Sequence, residues 1–179
     1  MNPSLLSSAL VYIIACGAAI LSCAAQAREV SEKTPTPSLQ YYVQVELGAP
    51  DFQVGLPALN QTSSAQLGQI NVFDLNVTEG FDRFTSQCLG SVRGYTVETS
   101  YVSGEDASRA VEVELLTYND GRGVEGTISM QGVIKDTPNE IAIVGGTGSF
   151  RGVRGYAAID IAINDTLPYL VYHHSLYFL

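Results

Sequence analysis

IAIVGGTGSFRGVRGYAA, residues 141–158, decides how the remainder of the chain is read. Apolar residues flank a glycine-dense centre, Gly145-Gly146-Thr147-Gly148, and Phe150, Arg151, Arg154 and Gly155 follow it. Glycine at this density inside strand-like sequence marks a backbone that turns through positive φ or lies close against another segment. A phosphate-binding loop is the first alternative. Gly146, Gly148 and Gly152 miss the GxGxxG spacing by one residue. From Tyr156 to Ile163 the pattern is that of a strand, where the dinucleotide fingerprint needs a helix. No Lys-Ser/Thr pair follows the glycines, so a P-loop is not present either. The segment reads as a tight turn between two antiparallel strands.

Outward from this turn, strands recur at short spacing. Alternating or β-rich runs cover residues 39–47, 69–77, 90–102, 109–118, 123–133, 141–144, 156–163 and 169–178. Residues 48–66, rich in Gly, Pro, Ser, Asn and Gln, and the polar stretch 79–86 read as connections. Asn119-Asp120-Gly121 is a hairpin signal. In 109–118, Val111, Val113 and Leu115 alternate with Glu112, Glu114 and Leu116. Eight strands without an amphipathic helix predict an all-β antiparallel barrel or sandwich. An eight-stranded barrel has room inside for one small ligand.

Residues 1–27 read as a removed secretory signal: 5–21 is nearly unbroken apolar and small, and Ala25-Gln26-Ala27 is an A-x-A cleavage site. Residues 28–38 form a polar leader with Pro35 and Pro37, and 39–179 form one domain. The net charge of −9 argues against nucleic acid and anionic membrane surfaces as partners. Two of the three cysteines fall in the signal, so the remaining chain holds Cys88 alone, expected to be buried as a small hydrophobe. Sequons at Asn60, Asn76 and Asn164 make N-glycosylation an expectation for a secreted chain, with Asn60 and Asn164 placed in loops. His173 and His174 are adjacent on the last strand and so face opposite sides, which rules them out as a paired metal site. No metal or cofactor motif is found. Glu140 and Arg154 lie on the two strands that the glycine turn joins. They form either an acid–cation pair at one barrel mouth or a surface ion pair.

Several blocks together resemble the plant dirigent family. Val144, Gly145, Gly146, Thr147, Gly148, Phe150, Arg154, Gly155 and Ala157 match its VGGTGxFxxARGxA signature. Gly68 to Asp74 with Val77-Thr78-Glu79, Leu89 to Tyr95, and Glu125-Gly126-Thr127-Ile128 with Gly132 resemble three further blocks in the family's order. The resemblance covers about residues 40–165 and implies an eight-stranded antiparallel up-and-down β-barrel with a central ligand cavity, shared with allene oxide cyclases. It implies a secreted, apoplastic protein, often a homotrimer. Such a protein binds a phenolic radical or quinone methide supplied by an external laccase or peroxidase and directs stereoselective coupling or cyclisation, as in lignan biosynthesis.

By the same resemblance Glu140 and Arg154 take the positions of the pocket acid and arginine, and Asp74, Tyr95, Tyr42 and Tyr156 are candidates for lining the pocket. The chain departs from the family in two places. It cannot form the disulfide that many members carry, and Val45 stands where the first strand usually has Asp. Glu46 is the neighbouring acid, able to substitute only through a local bulge. Two further readings remain: an allene-oxide-cyclase-like isomerase, and a cavity-poor secreted wall or defence protein. A ligand-sized cavity with tyrosines and an inward acid favours the first two readings, and a filled barrel the third.

Overall fold

The computed structural model describes residues 36–59, 66–100, 110–135, 138–166 and 168–179. The strands are β1 (Leu39–Glu46), β2 (Phe52–Leu56), β3 (Ile70–Thr78), β4 (Cys88–Glu98) and β5 (Ala110–Asn119). β6 (Glu125–Ile134), β7 (Asn139–Gly146), β8 (Gly155–Thr166) and β9 (Tyr169–Phe178) complete the sheet. They pair antiparallel in the order β1-β9-β8-β7-β6-β5-β4-β3-β2, and β1 also pairs with β3. That last pairing closes eight strands into a barrel and leaves β2 as an extra strand. β3 serves both neighbours: its first half pairs with β2, and Asn76, Val77 and Thr78 pair with β1.

β2 lies in a stretch whose composition reads as loop. Gly55 and the flanking Pro50 and Pro57 hide its alternation. It is an edge strand with little to bury, and Val54 and Leu56 are exposed.

Period-two alternation selects the interior. Tyr41 and Val43 on β1, Leu75 and Val77 on β3, Leu116 on β5, Ile128 and Met130 on β6, Ile141 and Ile143 on β7 and Leu176 on β9 all point inward and are buried. The glycine-dense segment is wider than the tight turn its sequence suggests: residues 147–154 connect β7 to β8 through a 3-10 turn, Gly148–Phe150. The reason is Phe150. The longer path lets its ring enter the barrel end, where it packs edge-on against Tyr118 (centroids 5.8 Å apart) and Phe178 (6.2 Å). Phe150 thereby plugs this end of the barrel.

The Asn119-Asp120-Gly121 signal does make the β5–β6 hairpin. Asp120 accepts backbone hydrogen bonds from Arg122 (2.7 Å) and Val124 (3.1 Å), which hold its carboxyl below the usual range. Cys88 is exposed rather than buried. A register shift between Val77 and Thr78, at the pairing partner of Cys88, turns the thiol out, and Leu89 takes the interior place.

The β1–β3 seam is short and carries a buried polar clamp. Gln44 Nε2 donates to Thr78 Oγ1 (2.8 Å) and to the Phe81 carbonyl (3.2 Å), while Thr78 Oγ1 donates to the Gly80 carbonyl (2.7 Å). Thr78→Val keeps the shape and leaves one of the two Gln44 N–H donors without its acceptor. It is expected to lower stability by about 1–3 kcal/mol, read as a lower urea midpoint. An unchanged midpoint would mean that apolar packing alone holds the seam.

Candidate functional site

Among the described residues, nothing fills the end of the barrel away from Phe150. A cavity of about 260 Å³ lies there, bounded by the end of β1, the end of β6 and the start of β7 (Leu47, Ile134, Lys135, Asn139). Val43, Val45, Phe73, Leu75 and Ile159 supply apolar wall. Glu98, Glu112, Glu114, Tyr172 and His174 supply the ionisable groups.

β5 explains the acids. Leu116 and Tyr118 must face in to fill the plugged half, and two-residue periodicity carries Glu114 and Glu112 to the same face. Val111 and Leu115 are left outside, 37% and 41% exposed. Across the sheet Glu112 pairs with Thr96 and Gly132, and Glu114 with Gly94 and Met130. Burial, then the charge of Glu112, push the Glu114 carboxyl well above the ordinary range; burial also raises Glu112 and Glu98. The two carboxyls of β5 lie on the same inward face, two residues apart.

His174 is buried and lines the same cavity, its Nδ1 3.2 Å from the Tyr41 hydroxyl. Burial, with the charge of His173 adding to it, lowers its pKa to about 3, so the ring is neutral. Burial, and next the Glu114 charge, raise Tyr41; burial and the Glu112 charge raise Tyr172. On the neighbouring wall Asn71 Nδ2 donates to Thr96 Oγ1 (3.0 Å) and Gln69 Nε2 to Asn71 Oδ1 (3.1 Å). Among the described residues no three acids, histidines or cysteines converge as metal ligands would.

The residues that the sequence nominated lie elsewhere. Glu140 is exposed on the outer face of β7, because Ile141 and Ile143 take the inward positions. It pairs with Ala158, four residues from the exposed Arg154, a separation of roughly 13 Å along the strand. Arg154 sits at the plugged end, directly before β8 begins. Asp74 is on the outer surface, paired with Arg93 at 3.0 Å. Tyr95 is outward and 43% exposed, since Thr96 is the inward neighbour. Tyr42 stacks on His173 and Tyr156 on Tyr177, both pairs outside. None of these six residues lines the cavity.

The two histidines do face opposite ways, His174 in and His173 out. β1 has no bulge: Val45 lines the cavity, and Glu46 turns outward to Arg83 at 3.2 Å. Of the sequons, Asn76 is exposed on β3, Asn164 falls within β8 rather than a loop, and Asn60 is outside the described residues.

The described residues form an antiparallel eight-stranded barrel with Phe150 packed into one end and a cavity at the other, the class of barrel whose interior has room for one small ligand. Within that class, the chain belongs to the dirigent family: a family model described as "Dirigent-like protein" matches residues 38–178. Dirigent protein 24 of Arabidopsis thaliana is 28% identical over 115 residues, 62% of this chain and 36% of that protein. The chain thus spans about a third of that relative's length. Among solved structures, the pterocarpan synthase dirigent protein GePTS1 superposes with a TM-score of 0.63 at 24% identity, covering 76% of this chain and 79% of that one. The pterocarpan synthase dirigent protein PsPTS1 gives 0.62 at 26% identity, covering 76% and 89%.

Proposed function

We propose that this chain takes up a phenolic radical or quinone methide made by a separate laccase or peroxidase. The barrel cavity holds that species so that one face reacts in coupling or ring closure. The observation that carries this reading is the cavity itself, about 260 Å³ of apolar wall in a dirigent-family barrel. Its size suits one aromatic unit with a short side chain. Restricting that unit to one orientation lowers the entropic part of the barrier for one stereochemical outcome. The name pterocarpan synthase, carried by the similar PsPTS1 structure, supports an oxygenated aromatic ligand class. A hollow barrel with Tyr172 and inward acids also speaks for a ligand-binding role over a purely structural one.

The setting we infer is the apoplast, supported by the signal-like residues 1–27. Glycans on the sequons, Asn76 being exposed on the outer face, and a homotrimer by family resemblance complete that reading.

The test is a coupling reaction with coniferyl alcohol, a laccase and the purified chain, its products resolved by chiral chromatography. An enantiomeric excess is expected, and Leu170→Trp, which fills the cavity, should abolish it. A racemic product from the folded chain would overturn the coupling reading for this substrate.

A further inference from the structure

Two carboxyls in an apolar cavity need an account of their charge. Glu112 and Glu114 are 9% and 6% exposed, both line the cavity, and their two-residue spacing sets them side by side on the inward face of β5. Two like charges buried side by side disfavour each other and lack the solvation water would give them, which favours the state in which one carboxyl of the pair keeps its proton. The second observation is that Glu114 Oε2 is buried with no protein partner. A buried oxygen left unpaired in this way is costly unless something else approaches it.

Among the described residues no cation compensates the pair. Lys135 is the only Lys or Arg of these that lines the cavity, and it is exposed at the rim. Arg83, Arg93 and Arg122 are held by Glu46, Asp74 and Glu79 on the outside. The other ionisable groups around the pair are Glu98 on β4, Tyr41 on β1, and Tyr172 and His174 on β9. At neutral pH none of Tyr41, Tyr172 and His174 carries a positive charge.

We propose that Glu112 and Glu114 hold one proton between them and act as a neutral-ligand selector. The pair offers a hydroxyl donor and a carboxylate acceptor to an oxygen of an uncharged aromatic ligand, and repels the same ligand bearing a carboxylate. This rests on reading the cavity as the ligand site. It narrows the ligand class to aromatic alcohols, phenols and quinone methides as opposed to aromatic acids. A single negative charge already in a low-dielectric pocket strongly disfavours entry of a second one.

The experiment compares coniferyl alcohol with ferulate, its carboxylate counterpart, by calorimetric titration of the mature chain at pH 7. The alcohol is expected to bind at least about 100-fold more tightly. In the double variant Glu112→Gln, Glu114→Gln, which keeps shape and hydrogen-bonding capacity, the ratio should fall to about 10-fold or less, mainly through a gain for ferulate. Equal binding of the two probes to the native chain, or an unchanged ratio in the variant, would overturn the selector.

Infrared difference spectroscopy gives a readout that needs no ligand. One protonated carboxyl per chain should persist at pH 7 and vanish in the double variant. Its absence overturns the shared proton whatever the titrations show. If the proton persists but neither probe binds, the selector and the ligand-site reading fall together. If the alcohol is selected but its coupling stays racemic, the selector stands and only the coupling reading fails.

Discussion

Gly155→Ala is expected to prevent the chain from reaching its folded state. Gly155 opens β8 with φ at +152°, in a region that disfavours every L side chain. Strain is the smaller part. A Cβ at this place would overlap the carbonyl oxygen and carbon of Tyr177 on β9. Gly155 is paired at once with Ile143 on β7 and Phe178 on β9, so neither neighbour can yield without opening a seam. Phe178 also packs against the Phe150 plug, which couples the clash to the core. The expected loss exceeds about 5 kcal/mol, comparable with the whole stability of a domain this size.

Gly152 supplies the contrast within the same turn. Its φ is +78°, yet a methyl group added there would have nothing within 4 Å of it. Gly152→Ala should cost only about 1–2 kcal/mol and leave a folded barrel. Far-UV circular dichroism and urea unfolding of the two variants decide the matter. Similar midpoints would show that β8 can shift away from β9 at little cost.

The second large effect is acid sensitivity through His174. In the folded chain this ring stays neutral down to about pH 3, whereas in the unfolded chain it takes a proton near 6.5. The unfolded state therefore binds more protons throughout that window, so stability is complete above 6.5 and is lost as the pH falls towards 3. At about 1.4 kcal/mol per pH unit the loss approaches about 5 kcal/mol. Glu112 and Glu114 act with the opposite sign. Their folded pKa values are raised, so their contribution is present below the ordinary carboxyl range and is lost as the pH rises through their folded values. Stability should therefore peak in mildly acidic solution. His174→Phe, which keeps a ring in the interior, is expected to lessen the fall in stability between about pH 4.5 and pH 3, where the two glutamates no longer offset it. Parallel pH profiles for the native chain and His174→Phe would mean that another group drives acid unfolding.

The candidate site shows where reading along the chain stops. On β5, Val111, Val113 and Leu115 make one apolar row, and the two glutamates share the other row with Leu116. The acidic row is the one that faces in, because Leu116 and Tyr118 share its parity and belong to the plugged half. That parity is present in the sequence as a signal, but it becomes decisive only once Phe150 is known to pack on Tyr118. Glu140 and Arg154 fail to meet for a related reason. Being near the same turn in sequence places two residues on neighbouring strands, yet register and facing decide whether they converge, and here both put them apart.

By itself the sequence determined the class of the molecule. Period-two alternation, turn residues at short intervals and the glycine-dense segment are local properties; they were enough for an antiparallel barrel or sandwich, and the motif blocks for the resemblance to the dirigent family, which implied the barrel. The opposite facing of His173 and His174 was equally local. The tertiary structure alone decided that β2 adds to the edge of β3, that Phe150 plugs one end, and that the hollow end is lined by acids from β5. These features depend on which of two possible faces each strand turns inward when the ring of strands closes. One residue of register reverses that choice for a whole strand, and only packing across the barrel selects between the two.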